Sequence, residues 1–248
     1  MIHFLSVGSG SKGNAVLVYD EEALFLVDMG VPKGTLLDGL ASLGRGLGDI
    51  DAAFFTHDHS DHIKGVEFLP EGLPLYAGGT TVAFPHEVLP RGKSVEIKGF
   101  RITAVASSHD AKDSRGYVFE KGGEKLSYLT DTGIIPSKTL SFLQDSTVFF
   151  IESNHDVDML KYSGRPLPLI NRIRSKKGHL SNVQCAGYLA KAIGPDTREI
   201  CLAHLSEECN DPHLAVEVVR QGLLERGIDL EARGIVLKAA LQWEKVEG

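Results

Sequence analysis

The stretch Ala52-Ala53-Phe54-Phe55-Thr56-His57-Asp58-His59-Ser60-Asp61-His62 runs from an apolar strand straight into a cluster of histidines and carboxylates. Imidazole and carboxylate are the usual ligands of zinc, manganese and iron. Four such groups, His57, His59, Asp61 and His62, fall within six positions. They cannot all be core residues, because buried charge needs partners; the bland alternative is a solvated loop. In a tight turn after a strand, His57 and His59 can point one way and Asp61 and His62 the other. The segment would then feed two ions rather than one.

Four ligands do not fill two sites, so further ligands are expected at other strand ends. Ser107-Ser108-His109-Asp110 follows an apolar run ending at Ala106, Thr130-Asp131-Thr132-Gly133 follows one ending at Leu129, and His204-Leu205-Ser206 follows one ending at Ala203. Loops at sheet ends are where functional groups tend to sit. The rest of the pattern places strands at His3 to Val7, Ala15 to Tyr19, Leu24 to Val27, Ala52 to Phe55, Ser94 to Ile97, Arg101 to Ala106, Tyr117 to Glu120, Lys125 to Leu129, Val148 to Ile151 and Glu199 to Ala203. Helices are expected over Leu36 to Leu43, Asn182 to Ile193 and Pro212 to Glu225, the last capped by Asp211. A strand-rich first half followed by mixed helices and strands suggests an α/β protein of two sheets covered by helices.

The ordered set His-x-His-x-Asp-His, then His109, Asp131 and His204, resembles that of metallo-β-lactamase-fold hydrolases, over nearly the whole chain. The resemblance implies an αββα four-layer sandwich with its site at one edge of the two sheets. It implies one metal on His57, His59 and His109, a second on Asp61, His62 and His204, and Asp131 bridging both together with a water or hydroxide. The two divalent ions would be zinc, manganese or iron. Finer signatures are similar to the YycJ-like group, described as exonucleases acting on DNA: Gly8-Ser9-Gly10-Ser11-Lys12-Gly13-Asn14, Ser107-Ser108-His109-Asp110, Ile151-Glu152-Ser153-Asn154-His155-Asp156, Gly178-His179-Leu180-Ser181-Asn182 and His204-Leu205-Ser206.

Two metals about 3.5–4 Å apart suit attack on phosphorus by a bridging hydroxide, leaving protonation of the departing oxygen to the protein. His179 is the candidate general acid. Ser181 accounts for the turn as an N-cap but leaves His179 unexplained, and the alternative for His179 is a solvated turn residue. By resemblance to related phosphodiesterases, Glu152 is the carboxylate that orients it; the alternative is a surface charge at a strand end. His155 and Asp156 either line the cleft or cap a helix. The glycine-rich Gly8–Asn14 turn either cradles a phosphate, with Ser11 and Asn14 facing the site, or is simply a tight connection. The segment from Lys161 to Lys177 holds Lys161, Arg165, Arg172, Arg174, Lys176 and Lys177 without an acidic residue. It would gather phosphates beside His179, with Arg172, Arg174 and Lys176 as the chief contacts, or form an ordinary solvated helix face. Tyr162 alone is weak as a stacking platform.

Composition bounds these readings. A chain of 248 residues, 42% hydrophobic, can bury a sizeable core. No linker or repeat divides it, so residues 1–248 read as a single domain. A net charge of -7 argues against an extended basic face. Cys185, Cys201 and Cys209 have no paired spacing, which points away from disulfides and towards a reducing compartment. No signal peptide or bilayer-spanning run is evident, so a cytoplasmic protein without a membrane partner is expected; oligomeric state leaves no signal. The leading expectation is a phosphodiesterase acting on nucleic acid, a DNA exonuclease. The alternatives are hydrolysis of a small phosphodiester such as a cyclic nucleotide, or of a thioester or lactone. The basic run favours the first and the net charge the second. The thioester or lactone reading explains neither the basic run nor His179, and a non-catalytic metal-binding scaffold would have no need of seven ligands.

Overall fold

A computed structural model describes residues 1–79 and 82–248. Strands β1 (His3–Gly8), β2 (Ala15–Tyr19), β3 (Leu24–Val27), β4 (Ala52–Phe54), β5 (Leu75–Ala77) and β6 (Glu87–Val88) form one sheet in sequential order. A second sheet contains β7 (Ser94–Ile97), β8 (Phe100–Ala106), β9 (Arg115–Lys121), β10 (Glu124–Leu129), β11 (Val148–Glu152), β12 (Glu199–Ala203) and β13 (Val236–Ala239), also in order. The last strand, β14 (Val246–Glu247), returns to the first sheet beside β1. The helices are α1 (Lys33–Ser42), α2 (Ser60–Ile63), α3 (Ser137–Leu143), α4 (Val157–Lys161), α5 (Leu167–Ile173), α6 (Asn182–Ala192) and α7 (Pro212–Leu224).

The layers follow from alternation along the strands. In β3, Phe25 and Val27 face the space between the sheets, and Leu24 and Leu26 face α1. Strands buried on both faces carry continuous apolar runs instead of a polar–apolar alternation. The inter-sheet core is aromatic: Phe4, Phe25, Phe54, Phe100, Phe119, Tyr117, Tyr128 and Phe150. A second core packs β10, β11 and β12 against α3, α6 and α7 through residues such as Leu129, Phe149, Leu202, Leu189 and Val219. The result is the αββα sandwich. No helix among the described residues is long and apolar enough to cross a membrane.

The expected strands are present with ends shifted by two residues at most, and Asp211 caps α7 by accepting from the Leu214 N–H at 3.0 Å. The helix expected over Leu36 to Leu43 begins earlier, at Lys33. The expectations passed over β5, β6, β13, β14 and the short helices α2 to α5. These elements are too brief to display a period, and several lie at sheet edges.

Chain direction decides where the site lies. Strands β3 and β4 run parallel, as do β10, β11 and β12, and β8 points the same way as β10 across the antiparallel β9. Their C-terminal ends therefore share one edge of the sandwich. The segments leaving that edge are Asp28, Thr56–His62, Ser107–Asp110, Thr130–Gly133, Glu152–Asp156 and His204–Ser206.

Candidate metal centre

The motif loop is bolted down by main-chain contacts. After β4, the chain passes through buried Thr56 and His57 into α2, a single turn that carries Asp61 and His62. The Asp61 carbonyl accepts from the Asn14 N–H at 2.8 Å, and the His62 carbonyl accepts from the Met29 N–H at 2.7 Å. Gly30 makes this approach possible, because a Cβ there would lie 1.6 Å from the Asp61 carbonyl oxygen. Gly133 does the same on the other sheet, where a Cβ would lie 2.2 Å from the Ser175 carbonyl oxygen. Asp28-Met29-Gly30 and Asp131-Thr132-Gly133 are thus equivalent turns, each an aspartate just past an apolar strand with a glycine two positions on.

Two triads converge at this edge: His57 with His59 and His109, and Asp61 with His62 and His204. Within each, one donor atom per residue lies within 4.8 Å of the others. Asp131 stands between them. Its Oδ2 is 3.3 Å from His62 Nε2, and its Oδ1 is 3.7 Å from His109 Nε2 and 3.6 Å from His204 Nε2. His59 turns Nδ1 inward, 3.3 Å from His109 Nε2. The donor set fits divalent ions on a second ground. His57 Nε2, Asp131 Oδ2 and His204 Nε2 are buried without a hydrogen-bond partner. Such atoms are costly unless something satisfies them. Burial also pulls the His57 pKa well below its usual value, which favours the neutral imidazole that metals bind.

A left-handed backbone recurs at the site, as it does at Lys98, Asp113 and Asp145 elsewhere in the chain. Asp28, Asp131 and His204 have φ of 60°, 52° and 55°, in the left-handed region. A non-glycine residue held there costs roughly 1–3 kcal/mol, and such strain clusters at functional sites.

Behind the inner groups lies a layer of carboxylates. Asp28, fully buried, accepts from the Thr56 N–H at 2.8 Å and holds His62 Nδ1 at 2.8 Å from its Oδ2. A carboxylate on the far nitrogen of a metal-binding imidazole fixes tautomer and orientation. Asp28 was not among the residues singled out from sequence, although its Asp-x-Gly turn after an apolar strand matches that of Asp131. Glu152, also fully buried, accepts from the Thr132 N–H at 2.9 Å and the Leu180 N–H at 3.1 Å, and through Oε1 holds His179 Nδ1 at 2.7 Å and His204 Nδ1 at 3.0 Å. Burial opposes its charge, but those two imidazoles outweigh it and lower the pKa to about 2. Asp110 lies 3.4 Å from His109 Nε2 and 4.0 Å from His59 Nε2, and pairs with Arg172 at 2.5 Å.

The cleft over this centre has a volume of about 240 Å3 and includes Ser11, His59, Asp61, His109, Asp131, His179, His204, Arg165 and Arg172 in its lining. His179 is thus brought to the centre, with its side chain 18% exposed and Nδ1 also 3.8 Å from Asp131 Oδ1. Asn14 is buried behind the cleft, its amide 3.1 Å from His62 Nε2 and 3.4 Å from Asp61 Oδ2. The glycine-rich turn is closed on itself. Gly10 N–H donates to Asn14 Oδ1, Lys12 N–H to Gln242 Oε1 and Gly13 N–H to the Gly10 carbonyl. Arg174 and Lys176 are exposed and lie outside the cleft lining, which takes only Arg165 and Arg172 from the basic run. Asp156 caps α4, accepting from the Asp158 and Met159 N–H groups, and His155 is buried beside Ser181.

A fold of this type with histidines and carboxylates gathered at the shared sheet edge defines a metal-dependent hydrolase of the metallo-β-lactamase fold. A family model described as a beta-lactamase superfamily domain matches residues 34–205, and the chain belongs to that superfamily, within its YycJ-like group. It is 35% identical over 240 residues to exodeoxyribonuclease YycJ of Bacillus anthracis, covering 91% of this chain and 90% of that one. It is 32% identical over 244 residues to exodeoxyribonuclease WalJ of Streptococcus pneumoniae, covering 91% of each. The fold matches the metallo-β-lactamase fold protein YhfI from Bacillus subtilis with a TM-score of 0.71 at 16% identity, covering both chains fully.

Proposed function

We propose that this chain is a two-metal phosphodiesterase acting on nucleic acid, a DNA exonuclease, with residues 1–248 working as one domain. The observation that carries the reading is the Glu152–His179 pair, 2.7 Å apart and set against Asp131 at the floor of a cleft that also takes in two arginines. Hydrolysis of a thioester or lactone gives no reason for those arginines. The names of the YycJ and WalJ relatives support a nucleic-acid substrate and DNA in particular.

His57, His59 and His109 would hold one divalent ion and Asp61, His62 and His204 the other, with Asp131 shared. When bound, two such ions lower the pKa of a shared water towards 7 and neutralise charge on phosphoryl oxygens. The chain's own residues do the remainder. Asp28 and Glu152 hold His62 and His204 with their inner nitrogens aimed at the centre. Glu152 also accepts the Nδ1–H of His179, leaving Nε2 to hand a proton to the departing oxygen. Arg172 and Arg165 would orient the phosphates, and Ser11 lines the same cleft.

The test is the purified protein with manganese or zinc, offered end-labelled single- and double-stranded DNA, RNA and cyclic dinucleotides. Stepwise release of nucleotides from a DNA end is the expected result. Turnover of cyclic dinucleotides alone would move the assignment to a small-diester hydrolase, a reading that the modest cleft volume also suits.

A further inference from the structure

The hairpin of α4 and α5 forms one rim of the cleft, with Arg165 and Arg172 among the lining residues. Its inner side is anchored. Leu160, Ile170 and Ile173 close on Cys209 in a small core, and Leu169 packs against it. The connection between the helices is tied as well, Ser163 Oγ donating to the Leu160 carbonyl at 2.8 Å. Two apolar side chains of the hairpin stay outside that core. Tyr162 ends α4 and is 75% exposed, and Leu167 opens α5 and is 67% exposed. Exposed hydrophobic residues scattered singly are ordinary. Here two of the three most exposed large ones among the described residues flank one short connection, and Arg165 within that connection lines the cleft.

Such a tip has a use in the reaction proposed above. One metal centre acts on one strand, but a duplex end presents two. The diester has to reach Asp131 and His179 at the cleft floor, and a strand still paired brings its complement with it. A side chain that parts the strands takes the place of a neighbouring base, so it has to be apolar or aromatic. It also needs cations beside it for the two backbones. The hairpin tip has both. Lys161 Nζ lies 4.7 Å from the Tyr162 ring centroid, and Arg165 is paired with the exposed Glu208 at 2.9 Å. Cation–ring and ion-pair contacts open to solvent are weak, so both cations are free to turn to phosphates. A base stacked on an aromatic ring regains about what it loses on leaving its neighbour.

We propose that Tyr162 and Leu167 form a wedge that opens the end of a DNA duplex, Tyr162 stacking on a base so that a single strand turns into the cleft. This rests on the nucleic-acid reading above and adds to it an action on paired ends. Blunt duplexes are then substrates without a separate unwinding protein, and the wedge matters only where there is a pair to open.

The experiment measures kcat/KM of the full chain with manganese on one labelled strand in three forms: alone, in a blunt duplex, and in a duplex whose terminal pairs are mismatched. The readout is the ratio of blunt duplex to single strand, because a ratio within one variant cancels general damage to the fold. In Tyr162→Ser it should fall about 10-fold, within the range of one base–aromatic stacking contact, and mismatching the end should restore it. Tyr162→Phe should keep the ratio, and Leu167→Ser should lower it less than Tyr162→Ser. A ratio unchanged in Tyr162→Ser, or a mismatched end cut no better than a blunt one by that variant, overturns the inference and leaves the nuclease reading standing. So does an unaltered chain that cuts the single strand but not the blunt duplex. No cleavage of any form overturns both.

Discussion

Two short segments dense in polar groups lie beside the cleft, and they behave oppositely. Thr56–His62 is seven residues long, is pinned on both sides by main-chain hydrogen bonds, and delivers all of His57, His59, Asp61 and His62 to the centre. Lys161–Lys177 carries six cations in seventeen residues, yet only Arg165 and Arg172 reach the cleft. The physics differs. Metal donors must come within a few ångströms of a common point, and a buried backbone imposes that. Attraction to a polyanion is long-ranged and tolerant of geometry, so a run of cations needs only to be nearby. Residue density in sequence is thus a good guide to a metal centre and a poor one to which basic residue touches substrate.

The strongest way to break this contrast is at the centre. Asp131→Ala should lower metal content from about two ions per chain, read by elemental analysis, and abolish cleavage of both a natural diester and a nitrophenyl diester. His204→Ala should do the same. One ion per chain in a fully active preparation would remove the bridging role of Asp131.

His179→Ala should instead keep both ions and slow the natural diester by about 10²–10⁴-fold, the usual cost of losing a general acid. The loss should shrink with a nitrophenyl leaving group, which needs no proton. Equal slowing of both diesters, or loss of metal, would make His179 a ligand or a structural residue.

Asp28→Asn lies outside the dense motif. Metal affinity or activity should fall about 10–100-fold, as for other carboxylates that orient a metal-binding imidazole. A change confined to thermal stability, with metal affinity intact, would show that Asp28 supports the loop without orienting His62.

The smallest effects belong to the basic run and sharpen the contrast most finely. Arg172→Ala should raise KM for oligonucleotides several-fold and reduce the salt slope of binding by about one phosphate contact. Arg174→Ala and Lys176→Ala should each do less. If all three shift KM alike, the run acts as a diffuse field and the cleft position of Arg172 is immaterial.

Much of this molecule is legible in its sequence for stated reasons. Apolar runs such as Leu24 to Val27 and Val148 to Ile151 are strands because both faces are covered, and parallel strands send their C-terminal loops to one edge. His57, His59, Asp61 and His62 stand out because four charged or coordinating groups beside an apolar strand have no other economical explanation. What the sequence could not settle by itself was contact between segments far apart along the chain. Asp28 reaches His62 across 34 residues and Asp110 meets Arg172 across 62, pairings set by how two sheets and α5 pack.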